Sequence, residues 1–258
     1  MSRVARKSNL NSLTCAVCGG RSFSHSKVLW DELVAEWGLN LHERDYIDRQ
    51  QGTVCERCGC NIRSIALADA IKAHWSFTGN FKNFVREHSD LDVLEINEAS
   101  GLTRWLSEMP NRHLAEYPQI DMQQMAIPDA SFDLVVHSDT LEHVPAPILA
   151  LSECKRVLRD EGLLAFTVPI IVDRLTLSRV GLKKSYHGSS ENRSADFLVH
   201  TEYGANAWQQ LIEAGFSSIQ IHTFDYPAGI AMSASKRSTV KRTKTLKFWK
   251  KPWFDQRR

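Results

Sequence analysis

From Leu91 onward the chain alternates short apolar runs with amphipathic stretches, and few folds accommodate that alternation. Leu91 to Ile96, Phe132 to Val136, Leu163 to Val168 and Ile219 to Phe224 read as strands. Leu102 to Met109, Pro147 to Leu158 and Ala205 to Ala214 read as helices between them. Strand and helix signals in turn imply βαβ units with right-handed crossovers, hence an α/β domain with a mostly parallel sheet. The stretch Ile170 to His200 is polar and irregular and too long for a plain connector, so it is expected to cap the domain as a lid or substrate loop.

A chain of 258 residues holds one such domain plus a smaller module. Its shares of 43% apolar and 24% charged residues are those of a globular protein rather than a disordered or fibrous one. No apolar stretch approaches the roughly 20 residues that span a bilayer. The N-terminal MSRVARKSNLNSL carries positive charge with no apolar run behind it, which does not fit a secretory signal, so a cytoplasmic location is expected. In a reducing compartment six cysteines suggest metal ligation or thiols rather than disulfides.

Residues 1–62 carry two CxxC pairs, Cys15 with Cys18 and Cys55 with Cys58, each followed by a glycine, Gly19 and Gly59. A CxxC turn presents two thiolates to one metal, and two such knuckles complete a tetrahedral site. The expectation is a small zinc-ribbon-like module with a structural Zn2+, closed to water and substrate because cysteine fills all four positions. Cys60 is an alternative to Cys58 in that set, and buried or redox cysteines are the alternative to a metal. Within the module only Val28 to Trp37 shows helical spacing. Residues 63–90 are expected to connect the units, with a helix over Ile62 to Trp75 that packs both together. Residues 91–228 are the main domain.

Residues 229–258 are read as a tail. They hold ten Lys and Arg against Asp255 alone, while the first 228 residues hold 22 basic and 29 acidic. With Phe248, Trp249, Trp253 and Phe254 among those cations, the tail suits an anionic membrane surface or a nucleic acid. A solvated chain end fits as well.

The blocks that say more run from Leu91-Asp-Val-Leu-Glu95-Ile-Asn97-Glu98-Ala99-Ser100-Gly101 through Asp121-Met122 and Ser131-Phe132-Asp133 to Asp139-Thr-Leu141-Glu142-His143. With Gly162 and Phe166-Thr-Val-Pro169, over about Leu91 to Phe224, they resemble the type 11 family of class I S-adenosylmethionine-dependent methyltransferases. The closer resemblance is to bacterial members with a cysteine-rich N-terminal module. The resemblance implies a Rossmann-like methyltransferase sheet, in the α/β class, with S-adenosylmethionine as cofactor. It implies that Glu95 organises the turn and the methionine end, with Asn97, Gly101 and Asp139 near it. Glu116 would take the ribose hydroxyls, Asp121 the adenine amino group, and Met122 would flank the adenine. A carboxylate suits a ribose because it offers acceptors only. The sequence departs from the family in having Asn97 and Ala99 where the turn usually carries glycines, and in the short interval from Glu116 to Asp121, which trims one crossover.

Methyl transfer from a sulfonium is an in-line displacement, so the protein mainly aligns the acceptor and, for a hydroxyl, removes its proton. His143, at the carboxyl edge of the sheet, and His187, in the expected lid, are the first candidates for the base. His200, His137 and Asp139 are weaker ones. Ordinary hydrogen-bonded scaffolding is the competing role for each histidine. Three functions follow: O-methylation of a small molecule or glycan, such as a cell-surface saccharide, with the tail near anionic lipids; RNA methylation; or a non-catalytic cofactor-binding scaffold, which the missing glycines suggest.

Overall fold

The computed structural model describes residues 13–186 and 197–236, so His187 and residues 237–258 of the tail lie outside the described residues. Two short strands, β1 (Phe23–His25) and β2 (Thr53–Cys55), pair antiparallel between the knuckles and bring the two CxxC turns together. The chain between them forms α1 (Asp31–Glu36) and α2 (Leu41–Gly52). α1 falls within the expected helical stretch. α2 carries no clear apolar periodicity, and a capping box starts it: Asn40 accepts from the Glu43 amide while Glu43 accepts from the Asn40 amide.

After β2 come α3 (Ile62–His74) and α4 (Phe81–Glu87), each begun by an asparagine cap, Asn61 and Asn80. β3 (Val93–Ile96), α5 (Thr103–Leu106), β4 (Arg112–Ala115), β5 (Phe132–Ser138), α6 (Pro147–Val157) and β6 (Leu158–Thr167) build the parallel part of the domain. β7 (Ile170–Ile171), β8 (Leu177–Ser178) and β9 (Thr201–Gly204) form a small sheet within the insert and just after it. α7 (Gln209–Glu213), β10 (Ser218–Phe224) and β11 (Gly229–Ser235) follow.

The main sheet has six strands in the order β10-β11-β6-β5-β3-β4, with β11 antiparallel to β6. It ends at β4, because the chain returns to β5 without a further strand; the crossover that looked short in the sequence is indeed trimmed. Side chains alternate across the sheet as the strand period requires. Leu134 and Val136 of β5 and Leu163 and Ala165 of β6 face one core with α3, and Val135, Leu164 and Phe166 face the other with α6. Among the described residues no helix is long and apolar enough to cross a membrane.

Two boundaries differ from the sequence reading. Gly229–Ser235 is not tail but β11, an inner strand whose seven residues are all buried. Its Gly-Ile-Ala-Met-Ser-Ala-Ser has no apolar alternation because both faces are covered, and its small residues are weak strand formers. Nor do residues 31–52 stay with the knuckles. Gln50 donates to the Ile170 carbonyl, Tyr46 Oη accepts from the Val172 amide, and Trp37 Nε1 donates to Ser185 Oγ at 2.9 Å. Glu43 takes Arg174 in a two-pronged pair, Nε to Oε1 at 2.8 Å and Nη2 to Oε2 at 2.7 Å. Arg49 pairs with Asp225 in the turn before β11. The N-terminal segment thus clamps both the insert and the far edge of the sheet.

Glu43 is almost fully buried, and Arg174 holds its carboxyl below the usual carboxylate range. Removing the cation leaves a buried charge uncompensated, so Arg174→Ala is expected to lower the unfolding free energy in urea by about 3 kcal/mol. A loss under about 1 kcal/mol would show that this pair does not tie the insert down.

Candidate functional site

Strands β3, β4 and β5 are parallel, so the segments that leave their carboxyl ends converge, and between them lies a cavity of about 420 Å³. Ile96 and Asn97 line it from β3, Tyr117 from β4, and Asp139 and Thr140 from β5. Ile120, Asp121, Met122 and Gln123 line it from the segment before β5, and His143, Val144, Pro145, Phe197, Leu198 and His200 complete the lining.

The turn after β3 is unusual. Asn97, Glu98 and Ser100 adopt φ of 50°, 60° and 52°, left-handed values that cost a residue with a Cβ roughly 1–2 kcal/mol. Polar contacts hold the turn in place of glycines. Asn97 Oδ1 accepts from the Tyr117 amide at 2.9 Å, joining the β3 and β4 ends of the cavity. Glu95, wholly buried, accepts from the Ala99 amide and from Thr103 Oγ1, both at 2.6 Å, and from Arg112 Nε at 2.7 Å. It therefore organises the turn, as the resemblance implies, but it is not among the residues lining the cavity. Gly101 is not either. A Cβ there would come within 3.0 Å of Cys60 Sγ and 3.2 Å of Ser64 Oγ, so this glycine admits the cysteine module instead of a ligand.

Asp121 and Met122 do face the cavity. The Asp121 oxygens are met only by the Gln123 amide and side chain, and among the described residues no cation neutralises them. Gln123 in turn accepts from the Ala146 amide, which fixes this wall to the start of α6. Glu116 is exposed at the end of β4, one residue before Tyr117 and outside the lining.

Asp139, at φ 51°, meets Arg63 of α3 at 2.7 Å through Oδ2, while its buried Oδ1 has no hydrogen-bond partner among the described residues. Burial pushes the Asp139 carboxyl up against the opposing pull of Arg63 and His143. Glu142, buried beside it, is held well above the usual range by burial and by the charge of Asp139.

Of the histidines, His143 and His200 line the cavity. His143 Nδ1 lies 3.0 Å from the Leu198 carbonyl, which can only accept, so the neutral ring carries its proton on Nδ1 and keeps Nε2 as its basic nitrogen. The His200 amide donates to the Glu142 carbonyl at 2.8 Å, which seats the end of the insert on the loop after β5; burial pulls the His200 imidazole below its usual value. His137 is withdrawn from the edge: it points into the core, stacked on Phe166 at 4.8 Å, with neither ring nitrogen hydrogen-bonded among the described residues. Sequence reasoning missed Arg63, Tyr117, Gln123, Thr140 and the Phe197-Leu198 rim. Only Tyr117 had a signal, its place directly after Glu116.

The second assembly is the cysteine cluster. Cys15, Cys18, Cys55 and Cys58 present sulfurs all within 4.8 Å of one another, and the Cys15–Cys58 and Cys18–Cys55 separations are 3.6 Å. Four sulfurs at about 2.3 Å from a tetrahedral zinc would stand about 3.8 Å apart, so the set fits such an ion. Gly19 and Gly59 take φ of 77° and 70°, which closes each knuckle as the sequence spacing demands. Mutual hydrogen bonding pulls the Cys58 thiol down and pushes Cys15 and Cys60 up, the pattern of sulfurs competing for few protons. Cys60 stands apart from the four, its Sγ 3.3 Å from the Gly101 carbonyl.

Residues 78–166 match a family model described as a methyltransferase domain, the type 11 family. A protein of Mycobacterium tuberculosis strain H37Rv, named a probable S-adenosylmethionine-dependent methyltransferase, is 36% identical over 69 residues, 25% of this chain and 24% of its own length. A Mycolicibacterium smegmatis protein of the same description is 36% identical over 69 residues, 25% of this chain and 26% of its own. The matches thus span about a quarter of those relatives. A solved SAM-dependent methyltransferase from Aquifex aeolicus shares 13% identity over 59% of this chain and 88% of its own, with a TM-score of 0.36.

The His137 environment makes a pH prediction. Burial brings its imidazole down to about 3, so between about pH 6.5 and 3 the unfolded chain holds a proton that the folded one refuses. Stability is then expected to fall on acidification through that window by about 1.4 kcal/mol per pH unit from this residue. His137→Leu should flatten the acid side of a denaturation series. Identical slopes in the two proteins would contradict a buried neutral His137.

Proposed function

We propose that this chain, which carries a class I methyltransferase domain, binds S-adenosylmethionine in the cavity at the ends of β3, β4 and β5 and transfers its methyl group to a hydroxyl of a small molecule or glycan. The observation that carries the cofactor part is the pairing of two acidic acceptors with the cavity: Asp121 without a cation and Asp139 with a buried unpartnered Oδ1. Both suit a ligand that brings amino groups and a positive sulfonium. Asp121 would take the adenine amino group with Met122 beside it, and Asp139 the methionine end. The bound cofactor supplies an electrophilic methyl on sulfur. The chain's own part is to exclude water beneath the insert and to align the acceptor with His143, whose Nε2 would take the hydroxyl proton. The four cysteines would hold a structural zinc, with all positions filled and none open for catalysis.

An anionic acceptor such as RNA is the second reading, and one observation favours it. Beside the knuckles a concavity of about 660 Å³ gathers Arg57, Lys82, Arg86 and Arg104 around Trp105, with Glu108 the one acid on its wall. Lys82 and Arg104 lie 5.4 and 4.6 Å from the indole ring centroid. Of these cations only Arg57 belongs to the cysteine module, so the charge of residues 1–62 does not reveal the cluster.

Calorimetry of S-adenosylmethionine binding tests the proposal. Asp121→Ala is expected to weaken binding about tenfold or more, as loss of a charged hydrogen bond does, while His143→Ala should leave binding within about twofold and cut methyl transfer at least about 100-fold. Purified protein should carry one zinc per chain. Methyl transfer to RNA but to no saccharide or small alcohol would favour the second reading. Tight binding with transfer to no acceptor would favour a scaffold.

A further inference from the structure

The seam between the cysteine module and the turn after β3 is built more closely than packing alone requires. The second knuckle runs directly into α3: Cys58 and Cys60 are followed by Asn61, whose side chain caps the helix by accepting from the Ser64 amide at 2.8 Å and Ser64 Oγ at 2.9 Å. Ser64 Oγ then accepts from the Gly101 amide at 3.2 Å and lies 3.3 Å from Ser100 Oγ. The Cys60 thiol meets the Gly101 carbonyl, and the Arg104 guanidinium donates to the Cys58 carbonyl. One residue before Ser64, Arg63 crosses to Asp139 at the end of β5. Two successive residues in the first turn of α3 therefore reach the turn after β3 and, at Asp139, the wall of the cavity.

The turn they touch is the one with Asn97, Glu98 and Ser100 in left-handed conformations. A turn of that kind does not hold its own shape, and what holds it must lie outside it. Glu95 grips it from within the sheet, Asn97 ties it to the Tyr117 amide, and α3 grips it at Gly101. We infer that Ser64 and Arg63 are positioning residues for the cofactor, and that the four-cysteine site, when it holds its metal, sets cofactor affinity through them. This rests on the reading of the cavity as a S-adenosylmethionine site. A metal on Cys55 and Cys58 fixes the knuckle, and with it the carbonyl that anchors Arg104 and the cap that starts α3. Without the metal the knuckle loosens, the cap moves, and the turn relaxes toward conformations that do not bind. The cofactor then binds only the fraction of molecules in which the turn is held, which lowers the apparent affinity by that fraction.

The test is S-adenosylhomocysteine calorimetry on zinc-loaded full-length wild type, Ser64→Ala and Ser64→Thr, with hydrogen exchange followed over residues 97–103. Ser64→Ala is expected to keep its zinc and bind about tenfold more weakly, the factor that one lost hydrogen bond gives. Ser64→Thr, which keeps the hydroxyl, should bind as wild type. Exchange should quicken at 97–103 in Ser64→Ala and stay unchanged in β6. A zinc-loaded Ser64→Ala with wild-type affinity and exchange overturns the inference and leaves the cofactor reading standing, whereas a wild type that binds no S-adenosylhomocysteine overturns both. Should Ser64→Ala fail to fold, zinc returned to chelated wild type decides instead. Affinity that climbs with metal occupancy supports the inference, and affinity indifferent to it overturns the inference.

Discussion

The structure depends on the burial of α3, in which every residue from Ile62 to Ala68 is buried. Of its thirteen residues, ten are buried, among them Arg63, Ser64 and Lys72. A helix buried around its first two turns needs partners on every side there. The sheet supplies one side through β6, β10 and β11, and the cysteine module and α4 supply others. Each fully buried Ile or Leu of the helix contributes roughly 1.5–3 kcal/mol of burial. The polar residues of the helix are admissible only because each has a designated partner: Asp139 for Arg63, Asn61 and Gly101 for Ser64, and the Gly79 carbonyl for Lys72. What the sequence presents as a linker between two domains is the member that fuses them.

The same requirement sets the electrostatics of the cavity. Arg63 enters the domain as a buried cation and pairs with Asp139, next to the buried Glu142, and burial holds both carboxyls above their usual range. Arg63 and His143 both pull the Asp139 carboxyl down, while Asp121 brings the cavity a further acceptor that no cation among the described residues neutralises. That acceptor is where a ligand's amino group would sit. Local charge, not the chain's formal +2, governs what the cavity attracts.

Among the elements around the cavity, Phe132–Ser138 was legible as a short run of bulky apolar residues and Pro147–Val157 by its helical period. β11 was not, since a strand covered on both faces loses its alternation and Gly229–Ser235 replaces bulk with small side chains. α2 escaped for the opposite reason: its start is written in the capping box at Asn40 and Glu43 and its hold on the insert in polar pairs, neither of which has a period. The knuckles were fully legible in their spacing. In the candidate site, Asn97, Asp121, Met122, Asp139 and His143, which the motif blocks single out, line the cavity. Gly101 and Arg63 take their roles from contacts 37 and 76 residues apart in the chain, which no local pattern records.

The central claim is that the cavity between Asp121 and Asp139 is a S-adenosylmethionine site held open by α3. A crystal structure of the zinc-loaded protein grown with S-adenosylhomocysteine tests it most directly. The expected result places the adenine against Met122 with its amino group on Asp121, the amino-acid end beside Asp139, and residues 97–101 unchanged in their contact with Ser64. Ligand density anywhere else, or a turn that leaves Ser64 to admit the ligand, would contradict it.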